Sequence, residues 1–261
     1  MRLNESIQRQ FTAAAAAYVV SPVHKGGPDL DALLALAGEV AGLRVLDVGA
    51  GVGATGLAFA ARGAQVVALD LTPAMLEAAR AQAEARGLAG FETRLGDAAA
   101  LPFPAASFDV VSCRVCAHHF GRARAAVGEM ARVLRPGGQL LLVDSISPED
   151  PAQDTFLNAV ELLRDPSHVR NYRVSEWLAW FREVGLEGRH VRTFPTFLDF
   201  DDWTARMNTP EHEREQLRRL MDAAPAEVRA AFDVGAKHDW KIPLALLCAT
   251  KPQLGAHAAP A

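Results

Sequence analysis

From residue 43 the chain alternates short β-branched runs with longer helical patterns, in the order LRVLDV, ATGLAFAARG, AQVVALD, TPAMLEAARAQAEARG, GFETRLGD and FDVVSCRV. Strands separated by helix-length segments are not hairpin partners, so they must run parallel, with helices crossing over on the two faces of one sheet. This predicts an α/β fold with a mostly parallel sheet. The helix after Asp70 is punctuated at both ends: Thr72 is placed to cap it, Pro73 suits its first turn and Gly87 can end it. In RVLRPGGQLLLVDS, Pro136, Gly137 and Gly138 close a further helix and open a fifth strand.

After Asp144 the alternation stops, and residues 147 to about 186 read mainly as helix. Helical stretches near FDDWTARM and PEHEREQLRRLMDAAPAEVRAAF then precede a last apolar strand, IPLALLCAT. The expected organisation is an N-terminal helical cover over 1–40 and a core over 41–146. A helical insertion over 147–240 follows, with a sheet strand near 188–196, then the last strand over 241–251 and a disordered tail over 252–261.

With 261 residues, half of them apolar, the chain can bury the core of one large α/β domain. Its net charge of −4 gives no reason to expect nucleic acid, whose binding needs clustered cations, so a small molecule is the expected partner. No apolar run approaches the roughly 20 residues of a membrane span, and the first residues lack the order of a signal peptide. Three cysteines, an odd number, argue against a disulfide framework and fit a reducing compartment, so the expected location is cytoplasmic.

The stretch VLDVGAGVGATG, residues 45–56, turns from a strand's carboxyl end into a helix, where open α/β sheets bind ligands and bare backbone allows close approach. Gly51, Gly53 and Gly56 satisfy G-x-G-x-x-G, so a nicotinamide- or flavin-dependent oxidoreductase has to be weighed. Asp47, however, puts a negative charge where a pyrophosphate would approach, whereas a ligand carrying an ammonium and a sulfonium would welcome it. Asp70, ending the second strand, suits ribose hydroxyls of either cofactor. Asp97, after the third strand, can accept the exocyclic amine of adenine while the Ala98 N–H meets a ring nitrogen. Three acids at successive strand ends, with no base among the glycines, describe a pocket for S-adenosyl-L-methionine.

Four motifs in order, VLDVGAGVGATG, ALDLTPAMLEAAR, GDAAALPFPAASFDVVSCRVCAHHF and RVLRPGGQLLLVDS, resemble those of the class I S-adenosylmethionine-dependent methyltransferases, in the branch of the ubiquinone and menaquinone biosynthesis C-methyltransferases. The resemblance covers residues 43 to about 146; YVVSPVHKGGPDL and RDPSHVRNYRVSEW are similar to a bacterial subgroup of that branch. It implies a Rossmann-like fold with a mostly parallel seven-stranded sheet and helices on both faces. By the resemblance, Gly49 and Gly51 pass the methionine moiety, Asp70 holds the ribose, Asp97 and Ala98 read the adenine, and the Arg114 carbonyl lies beside the sulfonium. Asp47, Gly53, Leu71 and Met75 complete the expected cofactor pocket, and Tyr18 in the opening helix is placed to reach the methionine carboxylate.

The cluster CRVCAHHF raises the question of a metal, but a strand sends Cys113 and Cys116 to opposite faces and no second ligand pair appears, so no metal is expected. His118 and His119, just past the fourth strand, are the candidate catalytic residues: an imidazole with pKa near ~6.5 can take a proton from a phenol or an acidic carbon. The alternative is that they pack the loop and cap the helix that follows. His119, His168, Arg170 and Tyr172 are the expected acceptor-binding residues, while Trp177, Trp180 and Phe181 read first as core. The resulting expectation is methyl transfer from S-adenosylmethionine to a small aromatic or quinone-like acceptor, the acceptor class resting on the resemblance. A nicotinamide oxidoreductase and a non-catalytic S-adenosylmethionine-binding protein stay open as rivals.

Overall fold

The computed structural model describes residues 3–20 and 26–253, with residue 14 and residues 16–20 by backbone alone. The expectations for the Tyr18 side chain and for most of the C-terminal tail lie outside the described residues. In chain order these form α1 (Leu3–Val20), α2 (Pro28–Ala37), β1 (Arg44–Val48), α3 (Ala54–Ala60), β2 (Gln65–Asp70), α4 (Pro73–Ala85), β3 (Phe91–Leu95) and β4 (Phe108–Arg114). There follow α5 (Ala123–Val133), β5 (Leu134–Ser147), α6 (Pro151–Arg164), β6 (Tyr172–Arg173), α7 (Val174–Glu183) and β7 (Glu187–Leu198). The last elements are α8 (Phe200–Ala205), α9 (Glu211–Ala223), α10 (Ala226–Ala231) and β8 (Trp240–Thr250).

Seven strands form one path in the order β3-β2-β1-β4-β5-β8-β7, and the two-residue β6 pairs with β5 beside it. All neighbours run parallel except β8, which is antiparallel to both β5 and β7. The chain winds outward from β1 in two directions, which opens a crevice at the carboxyl ends of β1 and β4. Register keeps those ends level: Val48 stands beside Leu69 on one side and Cys113 on the other, and Asp70 beside Leu95.

Alternate side chains of β1 serve opposite faces, as the two-residue period requires. Leu46 and Val48 join the core under α5 and α7, where Trp177 and Phe181 are buried. Val45 joins the core under α2 and α3 with Leu33 and Phe59. A third cluster, Phe156, Trp203, Leu217, Met221, Phe232 and Trp240, holds α6 and α8–α10 together over the carboxyl edge of the sheet. The strand β7 divides the helical insertion: α6 and α7 precede it, and α8–α10 lie between β7 and β8.

The start of α4 differs from expectation in one detail. Thr72 precedes it and Pro73 opens it, but the Thr72 side chain makes no cap bond. Asp70 Oδ1 instead accepts from the Thr72 N–H at 2.8 Å, so the carboxylate of the strand end turns the chain into the helix. At the other end Gly87 takes φ +65°, the left-handed conformation that a glycine adopts after a helix at least cost.

Candidate active site

The glycine loop is built by φ angles that other residues rarely adopt. Gly49, Gly51 and Gly53 lie at φ +68°, +53° and +91°. Gly51 faces open space, while a Cβ at Gly49 would collide with Cys116 Sγ. Gly56 acts differently, because a Cβ there would stand 3.0 Å from Phe91 and 3.2 Å from Val66, so its bareness lets α3 settle on the sheet. The loop opens into a cavity of about 720 Å³, a size typical of small-molecule sites.

The three strand-end acids stand on adjacent strands but differ in what they offer. Asp47 borders the cavity, yet its two oxygens are committed, accepting from Gly56 N–H at 2.9 Å and Ser112 Oγ at 2.8 Å. Burial pushes its carboxyl up to about 6 against those hydrogen bonds. This corrects the expectation of a free charge at the rim: Asp47 is an internal strut of the loop. Asp70 accepts from Gly51 N–H at 2.8 Å and lines the cavity; burial, opposed by hydrogen bonds to Thr72 and Gly51, raises its carboxyl above the usual range. Asp97 is about one-third exposed, takes the Ala99 N–H at 2.8 Å on one oxygen and the Asn4 amide at 3.2 Å on the other, and Ala98 lies beside it in the lining.

Leu71 and Met75 also line the cavity. The helix α1 closes over them: Leu3, Asn4, Ile7 and Phe11 face inward, and the Gln8 amide donates to the Leu71 carbonyl at 2.9 Å. Arg114 lines the cavity from the end of β4, but its guanidinium is turned to Asp29 of α2, with Nε 2.6 Å from Oδ2 and both side chains under 10 % exposed. Arg114 is thus committed to Asp29, and Arg122, also in the lining, lies 3.6 Å from Asp97. The bare backbone at Gly51 and the acids at two adjacent strand ends, Asp70 and Asp97 with Ala98 beside it, all border this cavity.

Past β4 the backbone bends sharply, Val115 taking φ +52°, and then makes a 3-10 turn over Ala117–His119. The bend overturns one expectation, because it brings the Cys113 and Cys116 sulfurs to 3.4 Å instead of opposite faces. Among the described residues no group of His, Cys, Asp or Glu is arranged to hold a metal ion.

The same turn sets the histidines. The buried Asp144, inside the buried run of β5, accepts from the His118 N–H at 2.9 Å and holds His118 Nδ1 at 2.6 Å. A carboxylate there fixes the proton on Nδ1 and leaves Nε2 as the ring's accepting nitrogen. Burial alone would lower the His118 pKa, but the Asp144 charge and hydrogen bond outweigh it and raise it above the ordinary value. His119 sits 3.0 Å from the Ser167 carbonyl through Nδ1 and edge-on to Phe11 at 4.9 Å; burial and the neighbouring His118 pull it down to about 4. Both histidines line the cavity.

The other expected acceptor-binding residues do not line that cavity. His168 is buried behind the pair, its Nε2 3.3 Å from Asn158, and burial brings its pKa down to about 2. Arg170 is occupied with Asp154 at 2.7 Å, which also holds Arg173 at 2.6 Å and Ser147 at 2.6 Å. Tyr172 packs edge-on to Trp177 and Trp180 at 5.5 and 4.8 Å. These three brace the segment that carries His119's partner, and the expected acceptor contacts would have to be made outside this cavity's lining. The residues that take their place at that end of the cavity are Glu161, Arg164 and Asp165 of the α6 end, with Trp203 and Arg206.

Sequence reasoning missed Asp29, Asp144 and Glu161. Asp144 carried a usable signal, an acid closing the apolar run LLLV. Asp29 and Glu161 carried none, since each is one of two acids on its helix.

A family model described as a methyltransferase domain matches residues 46–142. The protein YcgJ of Bacillus subtilis, named as an uncharacterized methyltransferase, is 39 % identical over 222 residues, 85 % of this chain and 88 % of its own length. Its crystal structure aligns with a TM-score of 0.83 at 36 % identity, covering 87 % of this chain and 99 % of that one. The ubiquinone/menaquinone biosynthesis C-methyltransferase UbiE of Dinoroseobacter shibae is 38 % identical over 145 residues, 53 % of this chain and 58 % of that one. Phosphoethanolamine N-methyltransferase 2 of Haemonchus contortus, in complex with S-adenosyl-L-methionine, shares the fold at a TM-score of 0.66 and 19 % identity, over 97 % of this chain and 60 % of that one. Identity on this scale along nearly the whole of both chains, on one fold, decides between the two nucleotide readings of the glycine loop: the chain belongs to the class I S-adenosylmethionine-dependent methyltransferases.

Proposed function

We propose that this enzyme methylates a small aromatic or quinone-like acceptor at an oxygen or an acidic carbon, and that His118 takes the proton the acceptor must lose. The observation that carries the reading is the His118–Asp144 pair: Nδ1 is held at 2.6 Å by a buried carboxylate, so Nε2 is the nitrogen left to the cavity. S-adenosylmethionine supplies, when bound, a methyl carbon already activated by its sulfonium. The protein's share is then orientation, exclusion of water and removal of one proton. Asp144 keeps the imidazole in the accepting tautomer and offsets the charge of the imidazolium that forms. His119, neutral at pH 7, adds a second accepting nitrogen, and α1 covers the cavity against solvent. The apolar wall of Phe194, Leu198, Trp203, Ile242 and Leu244 suits a ring. Similarity to the UbiE protein supports a quinone-like acceptor.

The test is incubation with labelled S-adenosylmethionine and fractionated cell extract, with identification of the labelled product, in wild type and His118→Ala. The expected result is a methylated ring compound and a rate reduced by about 10²–10⁴-fold in the variant. S-adenosylhomocysteine should bind both forms alike by calorimetry. A variant that keeps the full rate, or a labelled product without a ring, overturns the reading.

A further inference from the structure

The end of the cavity beyond His118 contains a carboxyl group whose hydrogen-bonding capacity the fold does not use. Glu161 projects into the cavity from the last turn of α6, with its side chain 9 % exposed. Its nearest charged partner is Arg164 Nη1 at 3.8 Å, beyond hydrogen-bond distance, and Arg164 spends Nε and Nη2 on the Trp203 carbonyl at 3.1 and 3.0 Å. No described residue donates a hydrogen bond to the Glu161 side chain. A carboxyl group this deep costs stability unless a partner completes it, and here the open side is the cavity.

The other polar groups at this end point the same way. His118 Nδ1 is held by Asp144 and His119 Nδ1 by the Ser167 carbonyl, an atom that only accepts, so each ring presents an accepting Nε2. A ligand matching two imidazole nitrogens and a carboxyl group must bring donors. Arg164 beside Glu161 already offsets the charge of that carboxylate, so neutral hydroxyls meet these acceptors without the cost of burying an ammonium. The apolar wall already described makes the body that carries them a ring.

We propose that Glu161 is the residue that selects the acceptor: it receives a second, non-reacting hydroxyl while the reacting one faces His118, so the acceptor is a ring with at least two hydroxyl groups. The assignment of the reacting hydroxyl rests on the methyl-transfer reading above, but the binding of the second one does not. The probes are therefore simple phenols and the readout is binding. Protein loaded with S-adenosylhomocysteine is titrated by calorimetry with phenol, catechol, resorcinol and hydroquinone, in wild type and in Glu161→Met, which keeps the bulk and removes the acceptor.

At least one dihydric probe should bind wild type about tenfold more tightly than phenol, the value of one net hydrogen bond. In Glu161→Met that gap should close while phenol affinity stays the same. The proposal is overturned if wild type binds phenol and all dihydric probes alike, if it binds none of them, or if the gap persists in the variant. The wild-type comparison stands whether or not the variant folds. Failure of the methyl-transfer reading shows separately, as a preference for the dihydric probe with no methylated product once S-adenosylmethionine replaces S-adenosylhomocysteine.

Discussion

At the scale of single residues, the site separates charges that work inside the protein from those that face a ligand. Asp47 belongs to the first kind. Its pKa is raised from 3.8 in a free chain to about 6 in the fold, so the native state holds its proton more tightly than the unfolded state. Stability from this group is therefore greatest below pH 4 and falls as pH rises through 6, by on the order of 3 kcal/mol. Asp47→Asn keeps an oxygen for the Gly56 N–H, and Ser112 Oγ can turn its proton to the Leu46 carbonyl at 3.5 Å. Urea midpoints should show a flatter fall in stability between pH 5 and pH 8 for this variant, with S-adenosylhomocysteine affinity unchanged. Lost affinity would restore Asp47 to the ligand.

His118 is the proposed member of the second kind. As a base it acts neutral, and Asp144 raises its pKa, so the rate should climb with pH through a value above 6.5. Asp144→Asn removes the charge, and the ascending limb of the pH–rate profile should move to lower pH while the plateau drops. The places of Asp70 and Asp97 in the cavity lining were legible in sequence because each sits at a strand end that local pattern marks. Glu161 was not, because its surroundings are assembled from α6, the His118 turn and the segment after α8, and no short window of sequence contains them.

Elements matter here chiefly through how they are fastened to the sheet. The α/β alternation could be read directly, since each strand and helix is fixed by its own period, and so could the helical character of the later segments. What could not be read is which helix touches which strand end. The clearest case is α2, whose first turn supplies Asp29 to Arg114. Nothing in PDLDALLALA distinguishes Asp29 from Asp31, and only the fold, by burying one against β4, does so. Asp29→Ala strands a buried guanidinium and should cost about 3–5 kcal/mol in chemical denaturation. A loss under about 1 kcal/mol would show that the pair is wetter than its burial implies.

For the whole molecule, topology sets the order in which parts become useful. Among the described residues the edge strand β7 pairs only with β8, and β8 lies between β5 and β7 and runs against both. Trp240, its first residue, is also in the core that holds the insertion helices. A chain ending before Trp240 should show no cooperative unfolding transition by circular dichroism. Retention of a sharp transition would mean that the parallel strands alone make a stable body.

This arrangement bears on how the protein is made. On a ribosome the outer strand and the helices over the active site emerge well before the segment that anchors them. For that interval a row of unsatisfied peptide groups along β5 and another along β7 are open to any extended chain nearby. Synthesis thus leaves these two edges open to mispairing until β8 is translated, and a pause in that window prolongs their exposure.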